Sequence, residues 1–288
     1  MLQIGLRAHD YGKNVPAEKL AEILDEYKPA SIQLALAKAL DGAPPLGGLS
    51  PGYARRIRKI LGAKNVSIAV LGCYINPVHP DPAERERQLC RFEEHLRFAR
   101  DFDCALVGTE TGSLNGDCSF HPDTAKPETF DLFCRSLERL VGTAEKCGSI
   151  VAIEAVADQH TICSVEKMEQ ALRRFASPAL KVIYDPVNLM PQAGLNENQG
   201  DFFARAFEAF GSEIVAVHAK DFRMENGKKN GALPAGSGSM DYDALLRLVM
   251  ERKPGVDILL EDSSPATVKE SMAFLRRTAE SLAAGANR

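Results

Sequence analysis

The sequence has no apolar run that approaches the roughly 20 residues needed to cross a membrane. Its N-terminus lacks the basic stretch and long apolar core of a secretory signal. These absences favour a cytoplasmic protein that does not enter a membrane. The net charge of −4 shows no basic excess, which disfavours nucleic acid as a partner because nucleic-acid-binding surfaces are strongly basic.

Disulfide and thiolate-zinc signatures are also absent. The seven cysteines are odd in number and form no Cys-x-x-Cys pair. A disulfide framework is therefore excluded as the main source of stability. We expect free thiols, as in an intracellular protein, and we expect all seven cysteines to be small core residues.

Strand-like apolar runs alternate with helical patterns along the whole chain. The strand candidates are 3–6, 31–36, 66–74, 105–108, 150–154, 180–185, 214–219 and 257–261. The helix candidates are 17–27, 52–61, 83–102, 128–147, 165–176, 202–211, 242–252 and 267–282. Eight of each is the count for an α/β fold of the (β/α)8 TIM barrel type, and we predict one such domain over residues 1–288. A doubly wound sheet is the alternative, but no G-x-G-x-x-G follows the first strand.

Four consecutive strand candidates end on a residue that can bind a metal. They are Glu154, Asp185, His218 and Glu261. In a barrel the carboxyl ends of the strands meet on one face, and the long loops of this chain also follow its strands. Three carboxylates and one imidazole form an oxygen- and nitrogen-donor set for a single divalent metal. Because thiolate is missing, we expect manganese, with magnesium, cobalt or zinc as alternatives.

The same residues lie in motifs that resemble the sugar phosphate isomerase/epimerase family, whose members have a xylose isomerase-like TIM barrel. Ketose 3-epimerases and inosose dehydratase belong to this family. The motifs are Ile153-Glu154, Asp185-Pro-Val-Asn188, His218-Ala-Lys-Asp221, Gly236-Ser-Gly-Ser-Met-Asp-Tyr242 and Leu260-Glu261.

The resemblance implies a divalent-metal-dependent isomerase or epimerase of a sugar or sugar derivative, with a place in carbohydrate metabolism. Glu154, Asp185, His218 and Glu261 match the family's metal ligands, and Glu154 and Glu261 match its acid/base pair. The reaction would remove the proton alpha to a carbonyl and form a metal-stabilised enediolate. The expected partner is a small-molecule sugar, and a homo-oligomer is consistent with the family.

Five further residues are expected to bind the substrate. Glu110 ends the fourth strand, while Lys220 and Arg223 follow His218. Asn188 and His160 replace a histidine and a glutamate of typical epimerases, which predicts a different substrate or reaction. Lys220 could instead pair with Asp221.

Two other activities remain open on the same scaffold. A lyase, such as a keto-inositol dehydratase or a C-glycoside-cleaving enzyme, would begin with the same proton abstraction. A hydrolase like endonuclease IV is disfavoured, because Asn188 stands where that enzyme needs a further histidine and because the chain is acidic. The glycine-rich turn 236–239 raises the question of phosphate binding, although Asp241 beside it would repel an anion.

Overall fold

Eight parallel strands close into a barrel in the computed structural model, which describes residues 2–286. The strands of the described chain are β1 Gln3–Arg7, β2 Ser31–Leu34, β3 Ser67–Gly72, β4 Leu106–Glu110, β5 Ile150–Glu154, β6 Leu180–Tyr184, β7 Ile214–Glu225, β8 Lys228–Pro234 and β9 Asp257–Leu260. Strands β1 to β7 pair in sequence order, and β9 pairs with both β7 and β1. The ring is therefore complete, and the predicted (β/α)8 TIM barrel is confirmed.

Helices connect the strands around the outside. They are α1 Ala17–Asp25, α2 Leu36–Ala39, α3 Pro51–Gly62, α4 Pro82–Phe98, α5 Pro127–Cys147, α6 Val165–Phe175, α7 Pro186–Leu189, α8 Gln199–Phe210, α9 Tyr242–Arg252 and α10 Val268–Ala286. Ser50, Ser164 and Asp241 cap α3, α6 and α9 by accepting hydrogen bonds from backbone N–H groups one turn on. Across residues 2–286, no helix has both the length and the apolar character of a membrane span.

The barrel interior is filled with side chains. Five strands contribute to a small apolar cluster separate from the one under the helices: Val70, Ala152, Ile183, Ala216 and Leu259. At Gly108 an added Cβ would lie only 2.7 Å from Ile183 and 2.8 Å from Val70. The barrel is thus a packed core and not a pore, so a binding site must lie at one of its ends.

Three predictions about local structure need correction. The segment 220–240, which the predicted strand 214–219 and helix 242–252 leave between them as a loop, is not a plain loop, because β7 continues to Glu225 and pairs with the antiparallel strand β8. Strand β2 ends at Leu34, and the residues predicted to extend it begin α2. All seven cysteines are free, as predicted, but four of them are only partly buried.

Candidate metal centre

Because alternate side chains of a strand face the same side, all four predicted ligands point to the barrel interior. Each ligand lies two residues after a member of the interior apolar cluster, and residues two apart on a strand point to the same side. The pairs are Ala152 and Glu154, Ile183 and Asp185, Ala216 and His218, and Leu259 and Glu261. The four ligand side chains therefore stand directly above the packed interior, at the carboxyl end of the barrel.

The four side chains form one compact, buried cluster. One donor atom from each lies within 4.8 Å of those of the other three. Nδ1 of His218 is the common neighbour, at 2.8 Å from Glu261 Oε2, 3.3 Å from Glu154 Oε2 and 3.7 Å from Asp185 Oδ2. This arrangement of oxygen and nitrogen atoms fits a divalent metal site.

The hydrogen bonds of the cluster support that fit. Buried polar atoms normally have hydrogen-bond partners, yet Asp185 Oδ2, His218 Nδ1 and Glu261 Oε2 have none in the described chain. All three atoms face one another. The second oxygens of two carboxylates form hydrogen bonds with Asn188, on the outer side of the cluster. Asp185 Oδ1 accepts from the Asn188 backbone N–H at 2.8 Å, and Glu154 Oε1 accepts from the Asn188 side-chain amide at 2.6 Å. A divalent cation at the centre of the cluster would coordinate all three of these atoms, including Asp185 Oδ2, which the Lys220 ammonium also approaches.

Two cations border the carboxylates, the partly buried Arg7 and the buried Lys220. The guanidinium of Arg7, at the end of β1, contacts Glu261 Oε1 and lies 2.9 Å from Asp262. The ammonium of Lys220 lies 3.0 Å from Asp185 Oδ2 and 3.3 Å from Glu261 Oε1. These positive charges offset part of the repulsion among the carboxylates and lower the free-energy cost of burying them together in the barrel.

The two glutamates of the cluster have different proton affinities. Burial raises the pKa of Glu154, and the nearby Glu261 and Asp185 charges raise it further against the attraction of His218. Burial also acts to raise the pKa of Glu261, but Lys220, His218 and Arg7 together hold that pKa well below its usual range. Glu154 is therefore the stronger base of the two.

The structure brings four of the five predicted substrate residues close to the cluster: Lys220, already described, and Glu110, His160 and Asn188. Glu110 pairs with Glu154 across β4 and β5, so both point inward from neighbouring strands. Nδ1 of the buried His160 lies 3.7 Å from Glu110 Oε2 and has no hydrogen-bond partner in the described chain. Asn188 binds Glu154 directly, as described above. Burial lowers the pKa of His160 to about 4, so its ring is neutral near pH 7.

Lys220 joins the cluster and does not pair with Asp221. Asp221 instead accepts backbone hydrogen bonds from Phe222 at 2.8 Å, Met240 at 2.9 Å and Gly236 at 3.0 Å. The exposed Arg223, on the hairpin formed by β7 and β8, donates to the carbonyl of Ser237 in the turn that follows β8. Of the predicted residues, Arg223 is the one whose side chain is turned to a neighbouring loop.

The glycine-rich turn 236–239 has little capacity for phosphate. The backbone N–H groups of Gly236 and of Met240, directly after the turn, donate to the Asp221 carboxylate. Those of Ser237 and Ser239 donate to the carbonyls of Pro234 and Phe222. Since these donors are already used, the phosphate hypothesis for this turn is not supported.

A cavity of about 380 Å³ opens at the carboxyl ends of β2, β3 and β4; Glu110, the neighbour of Glu154 across β4 and β5, lines it, and the four cluster residues do not. Its walls include Glu110, Tyr74 and Lys38, whose ammonium lies 3.8 Å from the centre of the Tyr74 ring. The size is within the range of small-molecule sites.

Sequence reasoning missed Arg7, Gln33 and Tyr74. Gln33 Oε1 lies 2.7 Å from Nε2 of His218, and Gln33 Nε2 donates to the Tyr74 hydroxyl at 2.7 Å. The signal was present for Arg7, which is a polar residue at a strand end like the four ligands. Gln33 gave no such signal, because it lies within the predicted strand 31–36 and not at its end.

Comparison with solved structures finds the same fold. A D-tagatose 3-epimerase-like protein shares 15% identity and a TM-score of 0.79, covering 99% of this chain and 100% of that one. An L-ribulose 3-epimerase shares 14% identity and a TM-score of 0.75, covering 100% and 97%. A xylose isomerase-like TIM barrel protein from Mycobacterium smegmatis, in complex with magnesium, shares 17% identity and a TM-score of 0.70, covering 98% and 97%. A search of curated proteins finds no significant match.

The family comparison covers almost the whole barrel. Residues 17–278 match the family model described as xylose isomerase-like TIM barrel. This range includes the four residues of the metal-site candidate and seven of the eight barrel strands. The chain therefore belongs to the xylose isomerase-like TIM barrel family.

Proposed function

We propose that the protein is a divalent-metal-dependent isomerase or epimerase of a sugar or sugar derivative. One observation carries the proposal: four buried side chains converge at the carboxyl end of the barrel, and three of them, Asp185, His218 and Glu261, turn atoms without a hydrogen-bond partner in the described chain to the common centre. Active sites of TIM barrels lie at this end. The two neighbouring structures named as sugar 3-epimerases are consistent with the same reaction type.

Glu154, Asp185, His218 and Glu261 would hold the metal. Manganese is the proposed ion, and magnesium, cobalt and zinc suit the same donors. When bound, the ion supplies a Lewis acid that polarises a substrate carbonyl and acidifies the adjacent C–H group.

The two glutamates would move the proton. Glu154 is suited to remove it, because only the neutral amide of Asn188 binds its outer oxygen. Glu261 is suited to return it, although Arg7 and Lys220 make its carboxylate the weaker base. Glu110, which lines the cavity, and His160 next to Glu110 would bind substrate hydroxyls, with Asn188 and Lys220 as further contacts.

Proton exchange with solvent tests the proposal. Protein loaded with Mn²⁺ is incubated in D₂O with a panel of ketoses and keto-polyols, and deuterium is located in the products by NMR. We expect wash-in next to the carbonyl, and a loss of at least about 100-fold in Glu154→Gln and Glu261→Gln, because each removes an acid/base group. Glu208→Gln, at an exposed position, is the matched control.

The product identifies the reaction. Inversion at the labelled carbon indicates an epimerase, and an aldose labelled at its second carbon indicates an isomerase. Loss of water or of an aglycone would replace the proposal with the lyase alternative. Full turnover after complete removal of metal by a chelator would refute the metal-dependent mechanism.

A further inference from the structure

Gln33 is a buried polar side chain inside the barrel. All four residues of β2 are buried, and Gln33 is only 1% exposed. Burying an amide is costly unless its donor and acceptor ends both find partners. Its oxygen lies 2.7 Å from Nε2 of His218, and its nitrogen donates to the Tyr74 hydroxyl at 2.7 Å. The amide is thus fixed at both ends.

The contact with Gln33 determines which nitrogen of His218 faces the cluster. An amide oxygen can only accept, so Nε2 of His218 must carry a proton to make this hydrogen bond. In the neutral ring, which is the form that binds a metal, this single proton stays on Nε2 and Nδ1 keeps its lone pair. Nδ1 is the ring nitrogen that points at the three carboxylates. The hydrogen bond at the far side of the ring thus leaves Nδ1 able to bind a metal.

Tyr74 anchors the other end of the amide. Its ring packs edge-on against His9, with the centroids 6.0 Å apart, and Lys38 lies over one face. These contacts hold the phenol hydroxyl where it accepts from Gln33. A chain of contacts therefore runs from the cavity wall through Tyr74 and Gln33 to His218.

We propose that Gln33 is a positioning residue, which holds the His218 ring in the orientation that turns Nδ1 to the metal site. The inference rests on the proposed metal site and adds a residue outside it. Outer partners of metal-bound histidines typically change metal affinity about 10- to 100-fold. In the described chain the Gln33 side chain forms its hydrogen bonds with His218 and Tyr74 and none with a predicted substrate residue, so its effect on the metal should pass through His218.

Metal affinity measures this role without relying on turnover. Gln33→Met removes the acceptor at similar volume, and Gln33→Glu restores one. We expect Zn²⁺ affinity, from competition with a chromogenic chelator, to fall about 10- to 100-fold in Gln33→Met and to recover to within about threefold in Gln33→Glu. Gln88→Met is the matched control, because the Gln88 amide bonds to Asn76 and Glu84 and not to the cluster.

Histidine ¹⁵N NMR of the wild-type protein loaded with Zn²⁺ gives a second readout that requires no variant to fold. We expect a protonated Nε2 and a metal-bound Nδ1 at His218. Binding through Nε2, or unchanged affinity in a folded Gln33→Met protein, would overturn the inference. A wild-type protein that binds no metal would instead refute the proposed function, and this inference with it.

Discussion

At the scale of single residues, the buried His160 links stability to pH. Burial lowers its pKa to about 4 in the folded protein, against the ordinary value of 6.5. The unfolded chain takes up the proton first as the pH falls, so His160 stabilises the fold fully only above pH 6.5. Its contribution is lost progressively between pH 6.5 and about 4.

We expect wild-type protein to lose stability faster than His160→Gln over this interval, by up to about 1.4 kcal/mol per pH unit. Urea unfolding at a series of pH values from 7.5 downward measures the difference. Glutamine keeps a hydrogen-bonding side chain but cannot titrate. Parallel stability curves for the two proteins would contradict the assignment.

Most of the site residues could be predicted from the sequence because strand ends are recognisable. Glu154, Asp185, His218 and Glu261 each close an apolar run, and the barrel geometry brings such ends together. Gln33 follows the same two-residue periodicity, two positions after the inward Ser31, but it lies within its run and not at the end. Its role depends on which strand faces His218 across the barrel, and that is a long-range contact.

At the scale of elements, the β7–β8 hairpin was not predicted from the sequence. Asn226 and Gly227 form its two-residue turn with φ of 52° and 73°, the left-handed values that Asn-Gly favours in tight hairpins. This turn signal was available in the sequence. The flanking strands were not recognised, because their exposed ends are polar and carry no apolar run.

Asp221 fastens this hairpin to the loop that leads into α9. Its carboxylate is 1% exposed and accepts three backbone hydrogen bonds. Asp221→Ala would leave these N–H groups without an acceptor, and we expect it to destabilise the protein by about 3 kcal/mol. Chemical denaturation measures the loss. Asp221→Asn keeps one acceptor oxygen and should lose less, whereas equal losses in the two variants would argue against the hydrogen bonds as the cause.

At the scale of the whole molecule, the barrel concentrates charge at one end. Strands β1, β4 and β5 bury apolar residues in their middle and end on Arg7, Glu110 and Glu154, and Glu261 directly follows β9. The count of alternating strands and helices was enough to predict this architecture, because closure depends on the number and order of elements more than on any one residue.

The charges of Arg7 and Lys220 affect how far the stability of the fold depends on bound metal. Arg7 and Lys220 already offset part of the carboxylate charge, so we expect the metal-free protein to fold. A metal that binds only the folded state adds about 3 kcal/mol at a concentration 100 times its Kd, which should raise Tm by about 5 °C or more. Thermal unfolding of chelator-treated protein, with and without added Mn²⁺, measures this shift. In His218→Ala the metal-dependent increase should be largely lost, because a central donor is missing. Identical melting of the metal-free and metal-supplied wild-type protein would show that the four side chains do not bind the ion in the folded state.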